Sequence, residues 1–107
     1  MVKLTALYRK PANPADFDQY YKNVHTPLVL KMPGIQKLAV AKVKPGIVGE
    51  SPYYMIVDMY FQDMPALQAA LASPEGRATA KDVGNFAREI IELLVAEVEE
   101  KELAKVI

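Results

Sequence analysis

The stretch from Tyr53 to Phe61 constrains the fold more than any other part of the chain. In an extended backbone, Tyr53, Met55, Val57, Met59 and Phe61 fall on one face and Tyr54, Ile56, Asp58 and Tyr60 on the other. Both faces are largely apolar, so the segment reads as a central strand that must be covered on each side. The rest of the chain therefore has to supply neighbouring strands and at least one layer packed over them.

Two further segments can be those neighbours. Val2, Leu4, Ala6 and Tyr8 alternate with Lys3, Thr5 and Arg9, the period-two pattern of a half-buried strand. Ile35 to about Val43 is rich in small and β-branched residues and closes at Lys44-Pro45-Gly46, with residues 45–52 as a loop. Between these two, Asn13 is placed to cap a helix that has Pro14 at its first position and Asp16 in its positive first turn. Phe17, Tyr20, Tyr21, Val24 and Leu28 continue it as one apolar stripe, and Pro33-Gly34 ends it.

After the central strand, Asp63 caps a short helix through Leu71, and Ser73-Pro74 starts another that runs to about Phe86. The segment from Arg88 to Ile107 pulls two ways. Its Glu, Leu, Ala and Lys content favours helix, and Ile90, Leu93, Leu94 and Val98 keep helical spacing. The order strand, helix, strand, strand, helix instead calls for one more strand, placed over residues 88–98.

With that strand the chain is α+β, a ferredoxin-like four-stranded antiparallel sheet carrying its helices on one face. A length of 107 residues fits one domain over residues 1–107, with 99–107 as a C-terminal tail. The uncovered back of the sheet would be an apolar patch larger than monomers normally expose. A homodimer with two such sheets face to face would hide it.

Composition removes several classes of partner. Thirteen Lys and Arg balance thirteen Asp and Glu, so no net field draws the chain to nucleic acid or an anionic membrane. No segment approaches the ~20 apolar residues of a membrane span, and the N-terminus lacks an export signal. The chain has no cysteine and one histidine, which rules out a disulfide framework and an ordinary zinc site and fits a cytoplasmic protein. Gly-x-Gly-x-x-Gly, Walker and Gly-x-Ser-x-Gly patterns are absent, and the only serines, Ser51 and Ser73, sit in turn or cap contexts. No metal and no cofactor is expected. The Glu-rich stretch of residues 89–102 reads as a solvated face.

Tyr20-Tyr21-Lys22-Asn23-Val24-His25-Thr26-Pro27-Leu28, followed by Met32-Pro33-Gly34, resembles the EthD family pattern of Tyr-Tyr, three residues, His, one residue, Pro-Leu and then Pro-Gly. Ser73-Pro74-Glu75-Gly76 and Asp82-Val83-Gly84-Asn85-Phe86 are similar to that family's second half. The likeness spans residues 1–86 and weakens beyond, where relatives carry a more β-branched last strand. The resemblance implies a dimeric α/β barrel, in which the sheets of two protomers close across a two-fold axis. It also implies an association with the breakdown of small apolar or ether-containing compounds, in a fold that includes oxygenases needing neither metal nor flavin.

His25 is the residue best suited to chemistry. It lies four residues after Tyr21, bordering the apolar stripe, and imidazole alone has an unperturbed pKa fit for proton transfer near neutrality. Pro27 lacks an N–H, which leaves the Asn23 carbonyl without its usual helical partner and makes a polar niche beside the ring. The bland alternative is a hydrogen-bonded helix histidine near a sheet edge.

Tyr21, one turn earlier, could orient the ring or a ligand, or simply pack on the sheet. Tyr8, Tyr20, Tyr54, Tyr60 and Phe86 are candidates to line a pocket between helices and sheet, with ordinary core as their alternative. The first functional expectation is a cofactor-independent oxygenase or oxidoreductase acting on a small apolar or aromatic compound, with His25 moving the proton. The alternatives are a non-catalytic dimeric module that binds apolar ligands and, more remotely, a haem site with His25 as axial ligand.

Overall fold

The computed structural model describes residues 1–101 of the chain. Of the tail expected over 99–107, residues 102–107 lie outside the described part. Four strands, β1 (Val2–Arg9), β2 (Lys37–Lys42), β3 (Tyr53–Phe61) and β4 (Ile91–Glu97), form one antiparallel sheet in the order β2-β3-β1-β4. The helices are α1 (Pro14–Tyr20), α2 (Thr26–Leu30), α3 (Met64–Ala72) and α4 (Pro74–Phe86), with a π-helical turn over Tyr21–His25 joining the first two. This is the ferredoxin-like α+β architecture. No helix among the described residues is long and apolar enough to cross a membrane.

Three of the four α-helices, α1, α3 and α4, begin where a short polar side chain meets a proline. The Asn13 side chain accepts from the Asp16 N–H at 3.2 Å, Asp63 from Ala66 at 2.9 Å and Ser73 from Gly76 at 3.0 Å, with a proline in the first turn each time. Gly34 adopts φ 79°, the left-handed exit expected after the first helical segment. That segment is not the single α-helix its stripe predicts. Before Pro27 the helix widens, and the Thr26 N–H reaches back to the Tyr21 carbonyl. Proline cannot donate to Asn23, so the ladder changes register just ahead of it, a form often seen at functional sites.

The core lies between the helices and one face of the sheet: Leu4, Ala6 and Tyr8 from β1, Met55, Val57 and Phe61 from β3, with Phe17, Tyr21, Val29, Met32 and Leu67 above them. β4 forms where local propensity favours helix, because pairing along the open edge of β1 supplies ladder bonds. The pairing runs from Tyr8 opposite Ile91 to Val2 opposite Glu97 and is extended at both ends by Arg9 N–H to Ile90 and Val98 N–H to Met1.

The back of the sheet departs from expectation in one respect. Tyr8 pairs with Met55 and Arg9 with Tyr53, so a bulge leaves Tyr54 unmatched and turns it to the helix side, where its ring meets Phe17 at 5.8 Å. The back face keeps Leu7, Ile56, Tyr60 and Leu94 around a polar centre, in which Asp58 accepts from the Thr5 hydroxyl at 2.6 Å and pairs with Lys3 at 3.2 Å.

The approach of α3 to α4 depends on Gly76. A Cβ there would stand 2.0 Å from the Ala70 carbonyl oxygen and 2.9 Å from the Leu71 Cα, backbone atoms that cannot swing away. Gly76→Ala is expected to cost about 2 kcal/mol or more in urea unfolding. Gly84→Ala, whose Cβ would meet only the Arg88 side chain, should be neutral or stabilising by up to ~1 kcal/mol. Equal effects at the two positions would contradict the packing role of Gly76.

Candidate active site

His25 closes the π-helical turn with its side chain buried. Its Nδ1 lies 2.9 Å from Oδ2 of Asp82, on α4, and its ring packs 4.8 Å from that of Phe86. The other carboxylate oxygen, Oδ1, accepts from the Tyr20 hydroxyl at 2.6 Å and from the Asn85 amide at 3.0 Å. Asp82, Asn85 and Phe86 occupy positions i, i+3 and i+4, so the last turns of α4 present all three on one face toward the Tyr20–His25 segment.

The electrostatics assign the protons. Desolvation pushes the Asp82 carboxyl up, but hydrogen bonds from Tyr20, Asn85 and His25 together outweigh it and hold the group below the usual carboxylate range. Burial lowers the His25 pKa more than the Asp82 hydrogen bond and charge raise it, so the ring is neutral at physiological pH. An ionised carboxylate only accepts, which places the imidazole proton on Nδ1 and leaves Nε2 as a proton acceptor. The pair is thus a base held by an orienting anion, the arrangement general-base catalysis uses.

An apolar cavity of about 80 Å³ lies beside the ring. Its walls include Ala6 and Tyr8 of β1, Met59 of β3, Thr79 and Val83 of α4, Ile91 of β4 and His25 itself. This exceeds the ~10–15 Å³ that one water needs and falls below the ~300 Å³ of drug-sized sites. Its scale is a small ring compound or one end of a larger molecule. A wider, shallow groove of about 470 Å³ between Pro11 and Ile90 touches neither His25 nor Asp82.

The aromatic candidates separate into distinct places. Tyr8 is a cavity wall, and its hydroxyl pKa is raised by desolvation and by the neighbouring Tyr21 and Asp82. Tyr21 packs 5.6 Å from the His25 ring, outside the cavity lining. Desolvation pushes its hydroxyl up to about 12 against the opposing influence of Thr26, and that buried oxygen has no hydrogen-bond partner among the described residues.

Tyr20 holds Asp82 in place of facing the cavity, and Phe86 backs the imidazole. Tyr54 is elsewhere: its hydroxyl donates to Asp18 at 2.8 Å, beneath Lys42, which also pairs with Asp18. Tyr60 is on the back of the sheet with the Lys37 ammonium 4.9 Å from its ring centre, so neither joins the site. Asp82 and Asn85 are the functional candidates that the residue pattern did not single out. The signal was present in the 82–86 spacing, which puts a carboxylate and an amide on the helix face that also bears Phe86. Among the described residues no three His, Cys, Asp or Glu side chains converge to hold a metal ion.

Fold and site together define a ferredoxin-like protein with a buried His–Asp pair at an apolar cavity. Residues 9–89 match the EthD domain, and the chain belongs to that family. It is 39% identical over 88 residues, 81% of this chain and 84% of the other, to an "Uncharacterized 11.0 kDa protein in thcB-thcC intergenic region" of Rhodococcus erythropolis. The crystal structure of an EthD family protein from Bacillus halodurans superposes with a TM-score of 0.88 at 38% identity, covering 92% of this chain and 99% of that one.

Two further solved structures share the fold at low identity. SnoaB from Streptomyces nogalater, described as a cofactor-independent oxygenase, aligns at 14% identity and TM-score 0.69 over 94% of each chain. A protein from Bacteroides fragilis described as dimeric and ferredoxin-like aligns at 17% and 0.63, covering 91% of this chain and 95% of that one.

The lowered His25 pKa has a signed consequence for stability. The unfolded chain takes up its imidazole proton near pH 6.5, while the folded chain takes it up only at lower pH. Unfolding free energy should therefore fall as pH drops from about 6.5 toward the folded value, and His25→Gln should flatten the profile across that window. Titration by NMR should place the His25 pKa below 6.5 and, in Asp82→Asn, lower still. A value above 6.5 in the wild type would refute the assignment of a neutral buried ring.

Proposed function

We propose that this protein is a small-molecule enzyme, a cofactor-independent oxygenase or oxidoreductase that uses His25 as its base on a small apolar or aromatic hydroxylated compound. The observation that carries this reading is the buried imidazole held by Asp82 through Nδ1 beside an apolar cavity. A phenol or quinol is held by the walls and loses its hydroxyl proton to Nε2. Asp82 stabilises the imidazolium that forms. The electron-rich anion left behind is what dioxygen can oxidise. In the quinol case two electrons and two protons pass to O2, giving quinone and hydrogen peroxide; in the oxygenase case one oxygen atom stays in the product and the other leaves as water.

Support comes from family membership and from the shared fold with SnoaB, at an identity that speaks to fold alone. The same reading includes a homodimer, supported by the dimeric description of the Bacteroides fragilis protein and by Leu93, Leu94 and Val95, which are largely exposed along β4. It also takes residues 1–107 as one domain working in the cytoplasm, in keeping with the absence of cysteine.

The test is oxygen uptake with a panel of small phenols, naphthols and quinols. Turnover should rise with pH through an apparent pKa below 6.5. His25→Asn should lower it by roughly 10²-fold or more, and Asp82→Asn by at least about tenfold. Turnover unaffected by His25→Asn would end the proposal. Saturable ligand binding with no product and no oxygen consumption would favour a non-catalytic binding module.

A further inference from the structure

Two polar atoms on the wall of the cavity have no partner of their own. His25 commits Nδ1 to Asp82, and its Nε2 forms no hydrogen bond among the described residues; the Tyr8 hydroxyl, on the same wall, forms none either. The two residues are 3% and 2% exposed. Yet among the described residues the Tyr21 hydroxyl is the one buried side-chain group that is both fully enclosed and unpartnered. Nε2 and the Tyr8 oxygen therefore touch open space, and the hollow that both residues border is this cavity. Thr79, the other polar side chain on the wall, gives its proton to the Glu75 carbonyl at 2.9 Å.

The two free atoms are complementary. Nε2 of the neutral ring accepts, while burial and the neighbouring Tyr21 and Asp82 all resist ionisation of Tyr8 and keep its hydroxyl a donor. One guest hydroxyl satisfies both, giving its proton to Nε2 and accepting from Tyr8 on the same oxygen. As that proton leaves, negative charge develops on the oxygen, and the bond from Tyr8 becomes charge-assisted, roughly twice as strong as a neutral one. The polar groups also lie to one side. Tyr8 and Ile91 pair at one end of the sheet wall, Leu4 and Met59 at the other, and the second end has no polar side chain to offer.

We propose that Tyr8 is a second catalytic residue, its hydroxyl donating to the oxygen that His25 deprotonates, and that the guest carries a single acidic hydroxyl at one end of an apolar body. This rests on His25 acting as the base in the reading above. A hydroquinone fits less well, because its second hydroxyl would reach the Leu4–Met59 end and stay unpaired there.

The probe is 3,4,5-trifluorophenol, an apolar ring whose fluorine resonances report ionisation of its hydroxyl. The midpoint of the bound probe should lie about one pH unit or more higher in Tyr8→Phe than in the wild type, a tenfold loss of preference for the anion. Its methyl ether, with no proton for Nε2, should bind about tenfold more weakly than the phenol, and hydroquinone about tenfold more weakly than 4-methylphenol. In oxygen uptake, Tyr8→Phe should lower kcat by on the order of 10²-fold with little change in KM, since the bond strengthens only as charge develops. The same variant should resist urea at least as well as the wild type, because the hydroxyl has no partner in the fold to lose.

A bound midpoint unchanged by Tyr8→Phe, a probe that the wild type does not bind, or hydroquinone held as tightly as 4-methylphenol would overturn the assignment. Phenols turned over through His25 with kcat untouched by Tyr8→Phe would also overturn it and leave the base standing. The expected midpoint shift with no oxygen uptake by any phenol would support the Tyr8–His25 hydroxyl site and remove the oxidation.

Discussion

The carboxylate of Asp82 joins α4 to the Tyr20–His25 segment, and the rest of the site takes its geometry from that junction. One oxygen takes the His25 ring and the other takes Tyr20 and Asn85, so three donors from α1, the π-helical turn and α4 satisfy one buried anion. A buried charge with so many partners stays ionised, and its ionisation fixes the tautomer of the histidine. Burial acts on the ring in the opposite sense and prevails, which keeps it neutral. The result is an oriented imidazole able to accept a proton from a guest in an otherwise apolar space.

The π-helical turn delivers the imidazole to that position. A regular helix through Tyr21–His25 would need an N–H at residue 27, and Pro27 has none. The wider turn shifts the register by one carbonyl and sets the positions of His25 and Tyr21 relative to the stripe that precedes them. Tyr21 accordingly packs in the aromatic cluster with Tyr8, Phe17 and Phe86, and its hydroxyl has no partner among the described residues. An unpaired buried hydroxyl costs stability, so the ring, more than the oxygen, accounts for its place in the core.

Much of this was readable from residues alone, for physical reasons that differ by element. The three helix starts follow from local chemistry, a capping side chain followed by proline, and the central strand from a nine-residue alternation. β4 is readable only through topology and the family resemblance, since its bonds to β1 are non-local and its own composition favours helix. Strict alternation puts Tyr54 on the back of the sheet and the structure turns it to the helix side, because a bulge is a property of the pair of strands, with no mark on one of them. His25 stood out as the lone titratable group suited to neutral pH. Asp82 did not, because a carboxylate on an amphipathic helix looks like any solvated one until the fold brings Tyr20, His25 and Asn85 around it.

The close contact at Gly76 bears on how a guest could enter. Gly76 borders the cavity, and its backbone presses against that of Ala70 and Leu71 with no room for even a methyl group. The crossing of α3 and α4 is thus fixed by backbone contact, and the His–Asp junction ties α4 to the first helical segment. The roof over the cavity has no slack at that crossing, and the large apolar lining side chains most open to solvent are Leu93 of β4 and Leu71 of α3.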